Sequence, residues 1–214
     1  MYKYILFDLD GTLVDTGEGI MLSVRQTVED MGLEKLSEET VRSFIGPPLK
    51  AAFMEKCGLD DEKAGEAVKI FRAHYSRENI LLCSLYKGIP ELCEKLIKSG
   101  KTLIVATSKP TPFAKRVLEN LGIDKYFADI VGSELDNSRT KKCEVIEYII
   151  EKFCIKDRNT VVMVGDKAQD IIGAKQCGVK SVGVLFGYGS FEELSAENAD
   201  YIIKTPDEAA FLSE

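Results

Sequence analysis

The chain has no apolar run approaching the roughly 20 residues that a membrane-spanning helix requires. Its opening Met1-Tyr2-Lys3-Tyr4-Ile5-Leu6-Phe7 is too short for a signal-peptide core and runs straight into acids. A cytoplasmic location with no membrane partner is the expectation. Basic residues are in deficit, with 28 Lys and Arg against 35 Asp and Glu, a net charge of −7 and a pI near 5.0. That balance argues against a general binder of nucleic-acid polymers or anionic membranes, so a phosphorylated ligand must meet local positive charge. The six cysteines (Cys57, Cys83, Cys93, Cys143, Cys154, Cys177) include no Cys-x-x-Cys pair and read as reduced structural thiols. The lone histidine, His74, lies in a long amphipathic stretch and reads as structural. Internal repeats, low-complexity tracts and linker-like tails are missing as well.

What is present is enough hydrophobic chain, 45% of 214 residues, to bury a substantial core. Short apolar runs at 3–7, 102–106, 129–131, 160–164 and 181–185, with a weaker one at 201–203, predict strands. Amphipathic stretches at 89–99, 112–121, 142–153 and 168–177 alternate with them, and Gly100, Gly122 and Gly178 mark helix ends. Alternating helices and fully apolar strands imply an α/β fold built on a doubly wound parallel sheet. From 17 to 82 the alternation breaks into four helical patterns at 20–31, 38–44, 49–56 and 61–77, punctuated by Gly32, Gly46-Pro47-Pro48 and Gly58. The predicted division is an α/β core of 1–16 with 84–214 and an inserted helical domain of 17–83. The alternative is that these helices merely cover one face of the sheet.

The strongest local signal is Asp8-x-Asp10-Gly11-Thr12, directly after the first apolar run. Parallel sheets bind ligands at the carboxyl ends of their strands. Two carboxylates there repel unless a cation joins them, and hard ions such as Mg²⁺ prefer carboxylate oxygens. Read alone, Asp-Gly after a strand is also an ordinary polar turn. Further along, Thr107-Ser108-Lys109 puts a hydroxyl where the second run leaves the sheet, ready for a phosphoryl oxygen or simply for a turn. Gly165-Asp166-Lys167-Ala168-Gln169-Asp170 brings two more acids to the same edge, Asp170 reading equally as a helix N-cap. A cation must hold nucleophile and phosphoryl group together, and on spacing alone either Lys141 or Lys142 serves.

In this order the motifs resemble those of the haloacid dehalogenase superfamily of phosphatases, over essentially the full length. The segment Phe44-Ile45-Gly46-Pro47-Pro48-Leu49 is similar to a cap loop in the branch holding phosphoglycolate phosphatases and 5′-nucleotidases. The resemblance implies a helical cap at 17–83 and a Mg²⁺-dependent phosphatase acting on a small phosphorylated metabolite, 2-phosphoglycolate or a nucleoside 5′-monophosphate. It makes Asp8 the nucleophile that forms an aspartyl-phosphate, and Asp10 the acid that protonates the leaving oxygen and later activates water. Mg²⁺ is implied at Asp8, Asp10 through its backbone carbonyl, and Asp166, with Asp170 behind them positioning Lys142 or a metal-bound water.

Thr107 and the amide of Ser108 are implied for the phosphoryl oxygens. Lys142, three residues before Val145-Ile146, is implied as the motif lysine, with Lys141 as fallback. This chain has Cys143 where the common pattern has proline. Gly46 and Lys109 are implied to meet the rest of the substrate, whereas Lys50 and Arg72 read as solvated cations. A phosphomutase of the β-phosphoglucomutase type shares the core residues and is the alternative. Asp10 disfavours a dehalogenase, and the helical insert disfavours a phospho-acceptor signalling module. A monomer is the default, with a homodimer left open.

Overall fold

The computed structural model describes residues 1–136 and 138–214. The chain forms two compact units, Met1–Asp15 with Leu85–Glu214, and Thr16–Ser84. The strands in chain order are β1 (Tyr4–Phe7), β2 (Val14–Asp15), β3 (Ser84–Leu85), β4 (Thr102–Pro110), β5 (Asp129–Ser133), β6 (Val161–Gly165), β7 (Lys180–Val184) and β8 (Tyr201–Ile203). Six of them make one sheet in the order β5-β4-β1-β6-β7-β8, parallel at every pairing, as the fully apolar runs imply. β2 pairs with β3 in a separate two-stranded sheet.

The helices of the first unit are α5 (Ile89–Lys98), α6 (Thr111–Asn120), α7 (Lys142–Lys152), α8 (Ala168–Gln176) and the short α9 (Phe191–Ala196), numbered after the four helices of the second unit. One face of the sheet, Leu6, Ile104, Val131 and Met163, packs against Val145, Ile146 and Ile149 of α7 and Ala174 of α8. The opposite face, with Ile5, Phe7, Leu103 and Val105, is equally buried. Each such aliphatic side chain contributes about 1.5–3 kcal/mol relative to exposure, so the first turn of α7 is held firmly near the sheet edge.

Register sets the site. Phe7 lies opposite Val105 on one side and Val164 on the other. Asp8, the residues after Val105 and the Gly165-Asp166 pair therefore emerge together at the carboxyl edge of the central strands. β4 runs further than its apolar run indicates, to Pro110, because β5 takes it up again at Pro110↔Ser133 after an irregularity between Ala106 and Pro110. α9 has no apolar run long enough to announce it; its start is fixed by Ser190 Oγ, which accepts from Glu193 N–H at 3.1 Å.

The second unit holds α1 (Gly17–Asp30), α2 (Glu38–Arg42), α3 (Leu49–Cys57) and α4 (Asp61–Tyr75). Asp60 caps α4 by accepting from Lys63 N–H at 2.9 Å. Phe44 meets Phe53 edge-on at 4.9 Å between ring centroids. His74 Nε2 lies 2.7 Å from Asp30 Oδ2 and so joins α4 to the end of α1, a structural role. Gly46 turns the chain between α2 and α3 at φ 105. Among the described residues no helix is long and apolar enough to cross a membrane, and all six cysteines are free thiols. Burial pushes the thiols of Cys93 and Cys177 up to about 12, too high for reactivity at neutral pH.

Candidate active site

Asp8 continues the ladder of β1 by donating its N–H to Val164 O at 2.8 Å. The chain then folds back on itself: Leu9 O accepts from the amides of Leu13 and Val14, both at 3.0 Å, and Gly11 N–H reaches Val14 O at 2.9 Å. Gly11 sits at φ +83, and a Cβ there would fall 2.2 Å from Asp166 Oδ2. Only glycine permits both the turn and the approach of β6's acid. The turn sends Asp8 and Asp10 to different partners.

Lys142, at the first turn of α7, is that partner for Asp8. Its Nζ lies 2.8 Å from Asp8 Oδ1, 2.8 Å from Asp170 Oδ1 and 2.9 Å from Ala106 O. Lys141 is exposed; its backbone N–H donates to Glu144 Oε2 at 3.2 Å and its carbonyl accepts from the amides of Glu144 and Val145. Geometry thus separates the two lysines that spacing could not. Burial alone would discharge Lys142, but Asp170 and Asp8 outweigh it and hold the ammonium charged. The same carboxylates offset the unfavourable field of the helix N-terminus.

Asp8, Asp166 and Asp170 are buried, and one carboxylate oxygen of each lies within 4.8 Å of the others. Desolvation pushes the Asp8 carboxyl up to about 6, opposed by Lys142 and reinforced by Asp170 and Asp10. Asp166 is pushed well above the usual carboxylate range, first by burial and then by Asp170 and Asp8. Three crowded acids against one ammonium form a hard-oxygen set suited to a divalent cation. Asp170 is not the helix N-cap. α8 already begins at Ala168, and Asp170 Oδ2 accepts from Lys167 N–H at 3.1 Å from inside the first turn.

Asp10 stands apart from that cluster. Its Oδ1 lies 3.0 Å from Lys109 Nζ, the lysine expected to face substrate. Thr107 is buried, and its Oγ1 accepts from Lys109 N–H at 3.2 Å inside the irregular stretch of β4. Thr107 and Ser108 therefore lie within β4 rather than past its end, though beyond the last pairing with β1. Ser108 O accepts from Ser133 Oγ at 2.8 Å. Gly46 belongs to the helical unit.

Two groups on Asp166 had no assigned role in the sequence. Thr12 Oγ1 donates to Oδ1 at 3.4 Å and Tyr188 N–H to Oδ2 at 2.8 Å. Thr12 was visible as part of the first motif. The signal for Tyr188 was fainter, the pair Gly187 and Gly189 around it just after β7.

A family profile described as haloacid dehalogenase-like hydrolase matches residues 5–184. The chain belongs to that family. The 5′-nucleotidase of Pseudomonas aeruginosa is 40% identical over 195 residues, 91% of this chain and 88% of that protein. The phosphoglycolate phosphatase of Vibrio parahaemolyticus is 32% identical over 208 residues, 94% of this chain and 91% of that one. The crystal structure of a predicted phosphatase from Clostridium acetobutylicum superimposes with a TM-score of 0.94 at 40% identity, covering 99% of this chain and 97% of that one. The α/β sheet is that of a haloacid dehalogenase-like hydrolase.

Proposed function

We propose that this hydrolase is a Mg²⁺-dependent phosphatase of small phosphomonoesters that works through an aspartyl-phosphate on Asp8. The observation that carries the reading is the bridge of Lys142 between Asp8 and Asp170, beside Asp166. The neighbouring Asp10 is held by a separate cation.

Lys142 fixes one oxygen of Asp8 and orients the carboxylate. Asp8 attacks phosphorus in line, forming one P–O bond as the ester P–O bond breaks, and Asp10 gives its proton to the leaving oxygen. Asp10 then takes a proton from water, whose oxygen attacks phosphorus, releasing inorganic phosphate and restoring Asp8. Thr107 and the Ser108 amide are assigned to the phosphoryl oxygens. Mg²⁺, held by Asp8, Asp166 and the carbonyl of Asp10, would supply positive charge to the transferring phosphoryl group.

The names of the two relatives support 2-phosphoglycolate or a nucleoside 5′-monophosphate as substrate. Residues 17–83 are assigned to leaving-group choice as a cap, with Gly46 as the position to test. Lys109 is assigned to Asp10 before substrate.

The deciding experiment is a phosphomonoester panel run with Mg²⁺ and with EDTA, comparing wild type with Asp8→Asn. Turnover is expected only in the wild type with Mg²⁺. Activity that survived both chelation and the substitution would overturn the mechanism, and a requirement for a hexose bisphosphate would identify a mutase instead.

A further inference from the structure

Tyr188 does two things at once. Its backbone N–H holds Asp166 Oδ2 at 2.8 Å, and its phenol oxygen lies 2.5 Å from Asp15 Oδ1. Asp15 ends β2, a few residues after the Asp8–Thr12 turn. The loop after β7 is thereby pinned to the segment that follows the nucleophile, across 173 residues of sequence. Burial, followed by the bond to Asp15, raises the phenol above its ordinary range, so it stays protonated as the donor.

The approach of this loop to Asp166 is close throughout. The Cδ2 of Tyr188 would stand 2.7 Å from a Cβ on Gly11, and a Cβ on Gly187 would fall 2.7 Å from Asp166 Oδ2. With Thr12 on Oδ1 and Tyr188 on Oδ2, both oxygens of Asp166 are held from outside its own strand. Hydrogen bonds of this kind fix the rotamer of a ligating carboxylate, and losing them costs about 10–100-fold in metal affinity.

We infer that Tyr188 is a positioning residue for divalent-cation binding, its phenol–Asp15 bond fixing the loop whose amide orients Asp166. The inference rests on the proposal that Asp166 is a metal ligand. The phenol contributes through the loop and touches neither substrate nor ion. Tyr188→Phe keeps the ring and the amide and removes only the anchor. Asp15→Ala removes the same anchor from the other end.

The test is Mn²⁺ binding to the EDTA-treated full chain, followed by electron paramagnetic resonance of the free ion, with thermal melts in EDTA alongside. Tyr188→Phe and Asp15→Ala are each expected to raise the Mn²⁺ Kd by about tenfold, and the double variant by no more than either alone. An unchanged Kd in Tyr188→Phe, even with a lowered Tm, would reduce the bond to scaffolding and overturn the inference. If Tyr188→Phe does not fold, Asp15→Ala decides on the same criterion. Asp166→Asn separates the layers. If it binds Mn²⁺ as the wild type does, the metal-site proposal fails. If it loses binding while the Tyr188 and Asp15 variants keep theirs, only the role of Tyr188 fails.

Discussion

Lys109 Nζ lies 3.0 Å from Asp10 Oδ1, with both side chains largely out of solvent. A lysine two residues past Thr107 looks from sequence like a group for the substrate, and here its ammonium meets Asp10. The two roles predict different kinetics. If Lys109 acts through Asp10, Lys109→Met lowers kcat by roughly 10–100-fold for all phosphomonoesters, a part of the roughly 10²–10⁴-fold that general acid–base catalysis contributes. KM then changes little. A rise in KM confined to esters with a second anionic group would show that Lys109 meets the substrate directly.

Lys142 pairs with two buried carboxylates at once, so its removal leaves Asp8 and Asp170 without their cation. Lys142→Met is expected to destabilise the metal-free protein by roughly 3–5 kcal/mol, the cost of breaking a buried pair from one side. Adding Asp8→Asn to that variant should recover part of the loss, because one of the stranded charges is gone. Urea unfolding of the single and double variants in EDTA measures both. A double variant no more stable than Lys142→Met would contradict the electrostatic origin.

The site also makes stability depend on pH in a definite direction. The Asp8 carboxyl is raised from 3.8 to about 6 in the fold, and Asp166 moves the same way, so the folded chain holds these protons more tightly than the unfolded one. Their stabilising contribution is fully present below the unfolded value of 3.8 and is lost as pH rises through about 6. Under the proposed function, Mg²⁺ bound by these carboxylates would restore what ionisation removes. The gain in Tm on replacing EDTA with Mg²⁺ should therefore be larger at about pH 7.5 than at about pH 5, where protons compete for the same oxygens. Equal gains at the two pH values would exclude Asp8 and Asp166 as the responsible groups.

The sheet was legible because parallel strands buried on both faces leave unbroken apolar runs, and Asp8 and Asp166 could be located because each follows such a run. On spacing alone Lys142 could be narrowed only to a pair, and only the family resemblance favoured it over Lys141, since neither spacing nor composition reveals which side chain turns inward. That choice depends on Val145, Ile146 and Ile149 burying one face of α7. It also depends on Gly173 of α8, where a Cβ would fall 2.7 Å from that of Lys142. The extension of β4 to Pro110 was hidden because Thr107, Ser108 and Lys109 break the apolar run inside an irregularity, and pairing with β5 resumes only at Pro110↔Ser133. Tyr188 escaped notice for another reason: what it gives Asp166 is a backbone amide, which any residue type carries, and the two are 22 positions apart.

The place of β1 in the sheet bears on how the enzyme is made. Its Tyr4 lies opposite Thr102 on one side and Val161 on the other, so during synthesis the strand leading to Asp8 emerges long before either neighbour exists. Helical pairings within Thr16–Ser84 can form in the meantime, whereas a parallel strand must wait for distant chain. Until then Tyr4–Phe7 is an apolar segment with two unpaired edges, the kind of stretch chaperones recognise. The ribosome delivers β1 before both of its partners, and its central position in the sheet makes its pairing one of the last steps to be completed.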